Sequence, residues 1–171
     1  MKKRVLFAAS VILTTISFSS FGQQTSSATA SASATIITPI SISKTVDMNF
    51  GNIASGTSSG TVVLTAAGSR SSTGGVTLPA TTGSPTAASF TVTGQGSYTY
   101  SITLPSSATT IDDGHSHTMT VDTWSSTPTT TGTLSSGTQT LTVGATLHVG
   151  ANQTPNTYTS ATPFTVTVNY N

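Results

Sequence analysis

The densest run of ionisable side chains is Asp112-Asp113-Gly114-His115-Ser116-His117. In an extended backbone His115 and His117 share one face, and Asp112 or Asp113 adds an oxygen, which is the beginning of a zinc ligand set. A functional zinc needs a third or fourth ligand in a fixed place, and His148 is the one other histidine. The run therefore reads as a solvated turn leading into a strand, with no metal or cofactor. Gly56-Thr57-Ser58-Ser59-Gly60 matches the G-x-S-x-G pattern of a nucleophile elbow. That elbow works because a strained strand-to-helix turn exposes the hydroxyl beside a base and an oxyanion hole. No helical pattern follows here, and a chain this rich in Ser and Gly matches by chance, so the stretch reads as a hairpin or loop and the chain as no enzyme.

Three weaker signals remain. Asn152-Gln153-Thr154 has the form of a glycosylation sequon and reads as loop chemistry. Trp124 with Tyr98 and Tyr100 would make a sugar-stacking platform if the rings converged, whereas aromatics in a sheet protein usually fill or flank the core. Gly94-Gln95-Gly96 is a turn, too short for a nucleotide fingerprint.

The elements that would position these residues are strands. Apolar side chains recur at every second position in short runs closed by Gly, Pro, Ser or Asn, and the abundant Thr is β-branched and suits a pleated surface. Runs of this kind cover residues 28–36, 40–50, 61–65, 76–78, 89–93, 97–104, 118–124, 138–149 and 164–170. In the seventh, Met119 and Val121 share one face and Trp124 takes the other; in the eighth, Gly144 is a candidate bulge. No helical periodicity is available for parallel crossovers. The fold class predicted is all-β, an antiparallel immunoglobulin-like, pilin-like β-sandwich.

Charge and export follow from the N-terminus. Lys2, Lys3 and Arg4 precede a mostly apolar stretch over Val5–Phe18, and Ser20 and Gly22 are small residues at −3 and −1 of a cut before Gln23, the form of a secretory signal peptide. Its apolar core is too short and too broken by Ser and Thr for a membrane span. Removing residues 1–22 leaves one domain's length of chain and only Lys44 and Arg70 as cations against Asp47, Asp112, Asp113 and Asp122. Two cations cannot neutralise a run of phosphates, so nucleic acid is excluded as a partner. Cysteine is absent, which rules out a lipid-modified N-terminus and leaves stability to burial and a hydrogen-bonded sheet. Leu78 to Gly83 is similar to a sortase signal, but an extra Thr breaks the pattern and no apolar tail follows it.

Ile40 to Gly51, Phe90 to Gly94, Tyr98 to Pro105, Leu141 to Gly150 and the last dozen residues together resemble domain of unknown function 4402, a family of exported bacterial β proteins. That family is similar in plan to spore coat protein U-like and chaperone–usher pilin subunits. The resemblance implies two roles. Phe164, Val166, Val168 and Tyr170 look like the closing strand that a periplasmic chaperone binds by main-chain pairing. Ala28, Ala30, Ala32, Ala34 and Ile36 have the parity of a donor strand that completes a neighbouring subunit. The chain departs from such pilins in lacking a disulfide and in having Asn156, Thr157 and Tyr158 where a Gly often precedes the closing strand.

The expected organisation is a signal peptide over 1–22, an N-terminal extension with the donor strand over 23–39, and a sandwich over 40–171. The function expected is that of a secreted structural subunit of a surface appendage or coat, self-associating by strand exchange with a periplasmic chaperone and usher as partners. The alternative is a monomeric carbohydrate- or surface-binding adhesion module. The chain is expected in the periplasm, at the cell surface or outside, with no membrane span after processing.

Overall fold

The computed structural model describes residues 22–171. They fall into two units, of which the first, through Thr35, has no regular secondary structure and exposed side chains over residues 22–35. The signal-peptide reading lies outside the described residues except at Gly22. Ala28, Ala30, Ala32 and Ala34 are therefore exposed and in no strand. The second unit, Ile36–Asn171, carries ten strands: β1 (Ser41–Val46), β2 (Ala54–Leu64), β3 (Arg70–Thr77), β4 (Ala88–Thr93), β5 (Thr99–Thr103), β6 (Thr109–Asp112), β7 (Thr118–Thr127), β8 (Thr131–Thr133), β9 (Thr138–Val149) and β10 (Thr167–Tyr170). All pair antiparallel, seven in one sheet and β10-β5-β8 in the other, so the domain is an all-β two-layer sandwich. Among the described residues no helix is long and apolar enough to cross a membrane.

β9 organises the large sheet because its alternation is the strongest in the chain. Leu141, Val143, Ala145, Leu147 and Val149 are all buried while His148 between them is exposed. Val143 lies between Ala88 of β4 and Ser126 of β7, and Leu147 between Val62 of β2 and Val121 of β7. β7 thus follows one edge of β9, while β4 and then β2 share the other and change over at Gly144. A Cβ at Gly144 would run into the backbone of Leu64, Thr65 and Ala66, so this crossing requires glycine. The bulge expected at Gly144 is on the neighbouring strand instead: the β7–β9 register shifts between Asp122 and Ser125, and Thr123 has a φ of 52°.

Two strands escape the alternation rule. β6 has Ile111 as its one large apolar residue, and β8 is Thr131, Gly132 and Thr133. Both form because a stronger strand offers them a ladder, β7 for β6 and β5 for β8. The Gly56–Gly60 stretch also lies inside a strand, the first half of β2, and not in the hairpin or loop expected. Its pairing with β3 is irregular between Ser55 and Gly60, which polar, Gly-rich sequence tolerates because no buried face fixes the register.

The core has two parts. The first packs Val92, Leu141 and Val143 of the large sheet against Tyr100, Val166 and Val168 from the small-sheet side. The second gathers Val62, Val76, Val121, Ala145, Leu147 and Val149, all on the large sheet, with half-buried Met48, Phe50, Ile53, Ile111, Met119 and Trp124 around them. Three short strands cannot cover seven, and the second part of the core is where cover runs out.

Candidate functional site

An open groove of about 1130 Å³ lies over that second part. Its floor is Val121, Leu147 and Val149, with Ala88 and Phe90 of β4. One wall is the chain after β1, through Val46, Met48, Phe50 and Ile53; the other is the segment that leads into β10, from Gln153 to Ser160 and on to Phe164. The groove lies between the chain that follows β1, which pairs only with β4, and the chain that precedes β10, which pairs only with β5.

Each wall is pinned by polar contacts that local sequence supplies. Arg70 donates from Nη1 to the carbonyls of Phe50 and Asn52, Gly51 N donates to Asn49 Oδ1 at 2.7 Å, and Asn49 and Thr86 exchange backbone bonds at 2.8 Å. On the opposite wall Asn152 N donates to Gly56 O at 2.7 Å, and Ser55 Oγ to Gln153 O at 3.0 Å. Gln153 Nε2 donates to the Tyr158 hydroxyl at 2.9 Å, and that hydroxyl donates to Thr154 O at 2.7 Å. Asn152, Gln153 and Thr154, the three residues of the sequon, thus all serve in this fastening.

The Asp112–His117 run fastens the same wall. Asp112 and Thr159 exchange backbone bonds at 2.9 Å. Asp113 Oδ1 accepts from the amides of His115 at 2.8 Å and His117 at 3.2 Å, and Oδ2 from His117 Nδ1 at 2.7 Å and Asn156 Nδ2 at 3.4 Å. Burial of this carboxyl would raise its pKa, but those bonds outweigh it and hold Asp113 well below the usual carboxylate range. His148 lies elsewhere, with Nε2 2.7 Å from Asp122 Oδ1, and this bond lowers the Asp122 pKa. Among the described residues no three His or Asp side chains gather as a metal site. The turn is a structural clasp.

The aromatics do not form one platform. Tyr100 is wholly buried, its hydroxyl donating to Gln139 Oε1 at 2.7 Å, and its pKa is raised by desolvation. Tyr98 packs edge-on against Tyr170 at 5.6 Å. Trp124, expected opposite Val121, lines the groove beside it because the irregularity in β7 between them reverses the parity. Its ring lies 4.5 Å from Phe164, and Phe164 lies 6.5 Å from Phe90 in an edge contact. These three rings crowd the end of the groove nearest the first core cluster.

Of the closing-strand residues, Val166 and Val168 are buried, and Phe164 and Tyr170 half-buried on the same parity. The Tyr170 hydroxyl accepts from Gln95 N at 2.6 Å and donates to Thr38 O at 2.8 Å. Of the candidate donor residues, the four alanines lie in the first unit; Ile36 begins the second and is 96% exposed.

The family model for the domain of unknown function DUF4402 matches residues 40–170. The chain belongs to that family. No curated protein and no solved structure gives a match. The matched span of this DUF4402 domain runs from just before β1 to the end of β10, and so includes both walls and the floor of the groove.

Sequence reasoning found the floor residues but missed the groove. The signal available was the long segment between Gly150 and Phe164, which has few large apolar residues and yet must span from one sheet to the other.

Proposed function

We propose that this DUF4402 domain is a secreted structural subunit of a surface appendage or coat, with an immunoglobulin-like, pilin-like plan, that assembles by strand exchange. The observation that carries the reading is a groove with an apolar floor, walled by the chain after β1 and by the segment that leads into β10, in a chain that also has an alternating segment in no strand of its own. A strand laid in the groove would pair with a free edge and cover the second core cluster. The occupant is residues 28–36 of a second copy, with Ala28, Ala30, Ala32, Ala34 and Ile36 facing the floor. Small methyls bury little, about 0.8 kcal/mol each, so backbone bonds worth about 0.5–1.5 kcal/mol apiece supply much of the affinity. A donor and an acceptor on different parts of one chain form a contact that need not close, and the product is a linear assembly. The chain would be exported and delivered by a periplasmic chaperone and usher, the chaperone protecting the Phe164–Tyr170 edge beforehand.

The second reading, a monomeric carbohydrate- or surface-binding adhesion module, draws on the aromatic lining of the groove. It is the weaker one because Phe164 packs against Trp124 with the rings tilted by 39°, leaving less of the indole for a sugar. Size-exclusion chromatography with light scattering on the chain from Gln23 separates the two. Concentration-dependent, head-to-tail species support strand exchange; a monomer at all concentrations supports the binding module.

A further inference from the structure

We propose that the opening between the β5–β6 connection and the segment before β10 is a binding site for a neutral saccharide of one or two rings. The site arises from an interrupted ladder. Thr103 pairs with Thr167, and Asp112 pairs with Thr159 one residue out of that register. Residues 103–112 therefore run antiparallel beside 159–167 and are tied at both ends. Between the ties no backbone hydrogen bond joins the two segments. Pro105 and Pro163 are the cause: they stand nearly opposite each other, neither has an N–H to donate, and a ladder cannot close across them. The segments bow apart around a cleft of about 590 Å³, within the size range of small-molecule sites. Trp124 Nε1 donates to Ser107 O at 3.3 Å and holds one rim in place.

The lining selects the ligand by charge and by hydrogen-bonding type. Among the described residues it contains one carboxylate, Asp112, and no cation, so a phosphate or carboxylate would meet repulsion with nothing to offset it. Asp112 Oδ1 accepts from Gly114 N at 3.0 Å, which leaves Oδ2 to take a charge-assisted bond from a ligand hydroxyl. Ser106, Ser107, Thr109, Thr162 and Thr165 line the cleft as well. Each of these hydroxyls both donates and accepts, which suits a polyol, whose groups do the same, better than an amine, which only donates. Leu104, Pro105 and Pro163 add apolar surface for the C–H face of a sugar ring. The cleft shares only Thr109, Pro163 and Phe164 with the groove, so saccharide capture here is open to the subunit whether or not it exchanges strands.

The test titrates the chain from Gln23 with cellobiose, lactose and diacetylchitobiose, and with lactobionate as the anionic counterpart of lactose. Trp124 is the one tryptophan, and its bond to the rim makes its fluorescence the readout. Hydrogen–deuterium exchange then locates the ligand. At least one neutral disaccharide should shift the fluorescence saturably and slow exchange across residues 104–111 and 160–166, and lactobionate should do neither. Asp112→Asn keeps an acceptor for Gly114 and should melt as wild type does, yet bind roughly 10- to 100-fold more weakly. Thr162→Tyr, at an exposed position in no strand, should fill the cleft and abolish binding without moving the melt. The assignment is overturned if no neutral disaccharide gives a saturable shift, or if both variants bind as wild type does. Protection that falls on Met48 and Val149 of the groove, with the cleft unprotected, overturns it equally.

Discussion

Tyr170 joins three parts of the chain that are far apart in sequence, and its hydroxyl can be removed without its ring. Tyr170→Phe takes away the acceptor for the half-buried Gln95 amide at 2.6 Å and the donor to the exposed Thr38 carbonyl at 2.8 Å. Water replaces the second bond cheaply. The first leaves a poorly hydrated amide, so the loss should be about 1–2 kcal/mol. The ring stays against Tyr98 at 5.6 Å. Tyr170→Ala removes that packing as well and should lose about 3–5 kcal/mol. With a urea slope of about 1–3 kcal/mol per molar for a domain of this size, the Phe variant should unfold about 1 M earlier and the Ala variant well before it. Gly94→Ala offers an independent check, because a Cβ there would run into the Tyr170 hydroxyl. If both act through one contact, Gly94→Ala and Tyr170→Phe should be less than additive. A Tyr170→Phe midpoint equal to wild type would refute the hydroxyl tie, and an unchanged Tyr170→Ala midpoint would place the ring on the surface.

Three further predictions concern the clasp, the crossing and the N-terminus. The low pKa of Asp113 means that its stabilising effect is present above the unfolded carboxylate value near 3.9 and is lost as pH falls toward the folded one; wild type should weaken below about pH 4, and Asp113→Asn should remove part of that acid dependence in denaturation curves taken across pH. Gly144→Ala should cost about 1–3 kcal/mol in the same unfolding assay, because its Cβ meets the Leu64–Ala66 backbone, whereas Gly68→Ala, with open space at its Cβ but a φ of +85°, should show only the smaller cost of backbone strain. Mass spectrometry of exported protein should find Gln23 first; a retained Lys2-Lys3-Arg4 terminus would overturn the processing.

The parts of the fold legible in sequence are those where one face of a strand is buried. The alternation of β9 over residues 138–149 survives intact because the strand lies over the core, and that of Val166 and Val168 survives too, although β10 begins only at Thr167 and the first half of the expected 164–170 run is not a strand. Elements formed by pairing alone left no periodic trace: β6, β8 and the polar half of β2 owe their structure to a neighbour's ladder. Trp124 was assigned to the wrong face because parity counts residues and cannot see the shift between Asp122 and Ser125. The groove was invisible for a related reason. Its floor has the same apolar pattern as a covered core, and only the paths of the chain after β1 and of the segment leading into β10 leave it open. The ionisable run reads in sequence as a solvated turn, whereas Asp112 ends β6, the Asp113 side chain is covered, and their bonds to Thr159 and Asn156 join segments more than forty residues apart.

Strand exchange makes one demand that a self-contained sandwich does not. Light scattering and thermal melting on the chain from Gln23, with and without residues 23–36, test it most directly. The full chain should form linear assemblies. The shortened chain should form none of these, should have a lower melting temperature than the assembled form, and should regain stability when the peptide of residues 23–36 is added. A full-length chain that stays monomeric at high concentration, with a melting temperature unmoved by the deletion or the peptide, would contradict strand exchange and leave the groove to another ligand.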